Sequence, residues 1–100
     1  MVVSPAEFKA SLSGAAPAPD LAAPLAALWW AGKGNWDQAH RIAQDQDDVS
    51  SAWVHAYLHR VEGNLGNAGY WYRQAGKPVA KDSLEAEWER MVQALLGGGA

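Results

Sequence analysis

The chain has 100 residues, of which 49% are hydrophobic, with no cysteine and a formal net charge of −3. That length predicts one domain around one core, and the scattered basic residues provide no positive field for nucleic acid. The missing cysteines exclude disulfides, thiolate catalysis and cysteine-bound zinc, and they suit a reducing, cytoplasmic setting.

The opening "MVVSPAEFKASLSG" has no basic region followed by an apolar run, so it does not read as a signal peptide. Ser4-Pro5-Ala6-Glu7 predicts a helix start: Ser4 caps, Pro5 fits the first helical position, and Glu7 completes a capping box. This helix should end near Ser13-Gly14, before the connector "GAAPAPD". Asp20 is the next candidate cap, with Pro24 in the first turn, where proline costs least. The apolar run "LAAPLAALWWAG" is too short to cross a bilayer, so a buried helix is expected there and no membrane partner.

"GKGN" breaks the chain, and Trp36 to about Gln46 predicts a further helix with Ala39, His40 and Ala43 on one face. The carboxylates of "DQDD" (45–48) lack the spacing of a calcium loop; they read as a helix end and a capped turn. Ser51 to Glu62 is the next helix. Asn67 to about Gly76 follows, stopped by Gly76 and Pro78. Asp82, with Glu85 three residues on, starts the last one. Its apolar stripe is Leu84, Trp88, Met91, Val92, Leu95 and Leu96. A frayed "GGGA" tail closes the chain. No segment alternates as a strand does. The fold class is therefore all-α, with short antiparallel hairpins over about 20–46 and 51–76 and capping helices over about 4–13 and 83–96, in a single domain spanning 1–100.

The turns "GNWDQA" (34–39) and "GNLGNA" (63–68) share Gly, Asn and Ala at the same offsets, 29 residues apart. Glycine ends one helix, asparagine opens the next turn, Trp36 or Leu65 packs at the corner, and Ala39 or Ala68 lets the helices approach. This pattern resembles the turn of the tetratricopeptide repeat, and "AGYWYRQAG" (68–76) is similar to the second helix of a Sel1-type repeat. The stretch "AH…WVHAYLHRVEGNLGNAGYWYRQAG" also resembles an uncharacterised family of small bacterial proteins, which implies no activity. The repeat resemblance implies a stacked array, with His55 and His59 at positions facing the partner helix, Ala56 at a small-residue position, and Tyr72 and Ala75 inward. It implies that Trp53, Tyr57 and Arg60 line a concave groove.

Two sites follow. Trp53, Tyr57 and Arg60 lie on one helical stripe at i, i+4 and i+7, and their residue types carry binding energy well. They point to a protein or peptide partner, a second copy of the chain, or a small anion held by Arg60. His55 and His59, four apart, together with His40 and Glu62, can form an inter-helix polar cluster or hold a metal ion. Hydrogen-bonded, half-buried imidazoles are the expectation there, since no His-Glu-x-x-His string is present. Arg60, Glu62 and Arg73 are expected in structural ion pairs. The leading expectation is a helical-repeat binding or scaffold module without catalysis or cofactor. The competing one is a metal or small-molecule site, enzymatic or not, built from His40, His55, His59 and Glu62.

Overall fold

A computed structural model describes residues 4–97. Among them the fold is all-α, with six helices in the order α1 (Pro5–Ala10), α2 (Ala23–Gly32), α3 (Trp36–Gln44), α4 (Val49–Val61), α5 (Leu65–Ala75) and α6 (Leu84–Leu96). Of the tail expected to fray, Gly97 is described and residues 98–100 lie outside the described residues.

Local chemistry sets most of the helix starts. Ser4 and Glu7 form the reciprocal capping box, with Glu7 N–H on Ser4 Oγ at 3.1 Å and Ser4 N–H on Glu7 Oε1 at 3.0 Å. The helix tightens into a 3₁₀ turn over Ser11–Ser13. Asp20, the cap expected for α2, is not used: the helix begins after Ala22 without a side-chain cap, and Pro24 supplies the preset first turn instead. Asp48 caps α4, so that helix starts two residues before Ser51. Asn64 caps α5, which starts before Asn67. Ser83, not Asp82, caps α6 by accepting from Ala86 N–H at 3.0 Å. The shifts at α4 and α5 share a cause: a side-chain oxygen three residues before the expected start accepts from the third free N–H of the helix.

The two turns 29 residues apart have matching geometry. Gly34 and Gly63 both sit at φ +83°, a left-handed conformation open to glycine at little cost. Asn35 N–H reaches the Trp30 carbonyl and Asn64 N–H reaches the His59 carbonyl, each at 2.9 Å. Gly34 and Gly63 in turn bond Ala31 and Arg60, three residues back. This pair of bonds is the Schellman closure of a helix C-terminus. Each asparagine then caps the following helix, on Gln38 N–H at 3.1 Å and Asn67 N–H at 3.2 Å. One residue thus ends a helix and begins the next, which keeps each connection to three residues.

Ala39 and Ala68 are buried where the paired helices approach. The corner residues differ. The Trp36 indole donates to the Leu58 carbonyl of the next hairpin at 2.7 Å. Leu65, at the equivalent corner, is 69% exposed, because no third hairpin follows it. The last helix instead crosses back over α2 and α4. It buries Trp88, Met91 and Val92, and Trp88 Nε1–H donates to the Leu28 carbonyl at 2.8 Å. Leu84, expected on its apolar stripe, lies at the rim and is exposed.

Ala39→Leu and Ala68→Leu should each cost about 1–3 kcal/mol by overpacking a close helix contact, read as a lower urea midpoint at an unchanged slope. Unchanged midpoints in both would contradict the close packing of the duplicated hairpins.

Candidate metal centre

The sequence places His40 on α3 and His55 and His59 one turn apart on α4. The fold brings the three together. One ring nitrogen from each lies within 4.8 Å of the other two. His40 Nε2 and His55 Nε2 are 3.0 Å apart, a hydrogen bond in which one ring donates and the other accepts. His55 and His59 stack at 4.8 Å between centroids, and His40 meets both nearly edge-on. Glu62 sits at the end of α4, and its Oε1 is 2.6 Å from His59 Nδ1.

Two indoles wall the cluster. Trp36 stacks on His40 at 4.6 Å and 10°, and Trp71 of α5 stacks on His55 at 4.1 Å and 19°. The sequence marks Trp36 only as a hairpin-corner residue and does not mark Trp71. Trp36 was legible, since it lies four residues before His40 and so shares its helix face. Trp71 had no comparable signal, because its approach to His55 depends on how α5 packs on α4.

Burial and the mutual proximity of the rings decide their charge. His55 is buried, and desolvation followed by the charges of His40 and His59 pushes its pKa down to about 4. His40 is half-buried and its pKa is also lowered, first by desolvation and then by His59. At neutral pH both rings are uncharged, with lone pairs available as ligands.

The other expected site is not an open groove. Tyr57 is 7% exposed and Trp53 9%. The Lys77 ammonium lies over the Trp53 ring, 4.3 Å from its centroid. Arg60 is committed: one guanidinium nitrogen donates to Glu87 of α6 at 2.8 Å and another to the Asp82 carbonyl. Glu87 is fully buried and also accepts from Tyr72 Oη at 2.5 Å. The burial of this stripe under α6 has a physical reason. An ionised carboxylate inside the protein needs a countercharge and further donors, and Arg60 and Tyr72 supply both. Burial pushes the Tyr57 hydroxyl up to about 12, helped by the Glu87 charge, and the same causes raise Tyr72. Glu87 is absent from the sequence reading, although it lies on the apolar stripe four residues before Met91. Of the expected ion pairs, Arg60 finds Glu87 and Glu62 finds His59 rather than each other. Among the described residues, Arg73 forms no ion pair in this network.

Comparison of the chain with family models, with curated proteins and with solved structures finds no match in any of the three.

The depressed pKa of His55 gives a pH prediction with a defined sign. The unfolded chain takes up a proton near pH 6.5, whereas folded His55 does so only near 4. Its contribution to stability is complete above pH 6.5 and is lost as pH falls toward 4, by at most about 3 kcal/mol. Urea unfolding at neutral and acidic pH should show a smaller acid loss in His55→Leu than in wild type. Equal losses would contradict a buried neutral ring.

Proposed function

We propose that the protein is a small helical domain that binds a divalent transition-metal ion between its two hairpins through His40, His55 and His59. The observation that carries this reading is the convergence of three imidazoles from two helices, with one nitrogen of each within 4.8 Å of the others. A tetrahedral ion with Zn–N bonds of about 2.0–2.1 Å needs ligand nitrogens about 3.3–3.4 Å apart. His40 Nε2 and His55 Nε2 stand 3.0 Å apart, and no pair of the set exceeds 4.8 Å. Side-chain rotations of at most about 1.5 Å would therefore close the shell around an ion.

The donor chemistry supports the same class of ligand. Three neutral imidazoles without sulfur suit zinc, copper(II), nickel or cobalt rather than calcium or magnesium. The stacked indoles restrict where the His40 and His55 rings can move. Three protein ligands leave one position of a tetrahedral ion for water or an external ligand, as in sites that act on a bound molecule. The peptide-binding scaffold reading retains the duplicated hairpins in its favour, but the stripe intended for the partner is spent on α6 and Lys77.

Chelator-treated protein titrated with zinc in a calorimeter should take up one equivalent, and the melting temperature should rise with free zinc, because an ion bound only by the folded state stabilises it. His40→Ala, at the least buried of the three positions, should remove both effects while leaving the far-ultraviolet circular dichroism unchanged. Absence of saturable uptake by wild type, or equal uptake by His40→Ala, would refute the assignment.

A further inference from the structure

We infer that Glu62 is the positioning residue of this centre: it holds His59 as the tautomer protonated on Nδ1, which leaves Nε2 as the ligand nitrogen for the ion. This rests on the metal reading above and adds to it the order in which the three rings are prepared.

His59 and Glu62 lie three residues apart in the last turn of α4, which the left-handed Gly63 closes by returning Asn64 N–H to the His59 carbonyl. That closure fixes the Glu62 backbone one turn beyond His59, within reach of its ring. Its Oε1 is 2.6 Å from His59 Nδ1. An ionised carboxylate only accepts, so the ring must donate from Nδ1. A neutral imidazole protonated there has its lone pair on Nε2 and no other ligand atom to offer. A carboxylate behind a histidine also increases the basicity of the metal-facing nitrogen and fixes ring orientation.

His40 and His55 differ from His59. They face each other Nε2 to Nε2 at 3.0 Å, so one of those nitrogens carries a proton and the lone pair of the other accepts it. An ion entering between them must displace that proton, and the donating ring must protonate on Nδ1 instead. No atom is lost: the proton leaves Nε2 for solvent and another is taken up at Nδ1 of the same ring. His40 is the more exposed of the two and has access to water for this exchange. His59 is thus the preset ligand, and the His40–His55 pair adjusts around the incoming ion.

Zinc affinity and histidine tautomers test this in wild type, Glu62→Gln and Glu62→Ala. Long-range ¹H–¹⁵N spectra of the metal-free wild type should show His59 protonated on Nδ1. Glu62→Ala should weaken zinc binding about 10- to 100-fold and release His59 into a mixture of tautomers. Glu62→Gln, whose amide oxygen still accepts from Nδ1–H, should keep the tautomer and lie between the two in affinity. Circular dichroism and melting of each metal-free variant separate a positioning effect from lost structure. Wild-type affinity in Glu62→Ala, or His59 protonated on Nε2 in the metal-free wild type, would overturn the role of Glu62 alone. Wild type that takes up no zinc would overturn the metal reading itself.

Discussion

The hydrogen bond from the Trp36 indole to the Leu58 carbonyl fixes one hairpin against the next, and the histidine cluster depends on it. Trp36 is the first residue of α3, and Leu58 lies in the last full turn of α4. Pinning these two points sets where His40, one turn along α3, meets His55 and His59. The same indole face stacks on His40, so one side chain both joins the hairpins and orients a ring. At the corresponding corner of the second hairpin, Leu65 has no indole N–H to donate and no following hairpin to reach. Among the described residues, the histidine cluster lies at the junction between the two hairpins.

Much of this was legible in local patterns. The Ser4–Glu7 capping box, the glycines at the two turns and the alanines behind them each act within a few residues, and sequence spacing reports such features directly. The helix starts at Val49, Leu65 and Leu84 were less legible, because several nearby oxygens compete for the same free N–H groups and geometry chooses among them. The candidate cluster was half legible. His55 and His59 share a helix face by spacing, and Glu62 lies within one turn. The approach of His40 and Trp71 depends on packing between helices, which no local pattern encodes.

The fate of α6 was the least legible part, and it decides the face bearing Tyr57 and Arg60. Its apolar stripe could have packed at the end of the array or across it. Glu87 favours the second arrangement once folded, since Arg60 and Tyr72 together satisfy a carboxylate that would otherwise be stranded in the core. Removing one partner of such a buried pair costs far more than the pair contributes over an apolar replacement. The cluster and this buried pair are also neighbours along the chain: His59 and Arg60 are adjacent on α4, as are Trp71 and Tyr72 on α5. Adjacent residues of a helix point about 100° apart, so the two members of each pair meet different neighbours. The α4–α5 hairpin thus holds imidazoles toward α3 and the anchor for α6 on an adjoining face.

The most direct test of the central claim is X-ray absorption at the zinc edge of protein loaded with one equivalent of the metal. The account predicts a first shell at about 2.0–2.1 Å with the multiple-scattering signature of imidazole rings, three of them in number, and its loss when His40 is replaced. A shell of light oxygen ligands without imidazole scattering would place the ion on surface carboxylates and contradict the assignment.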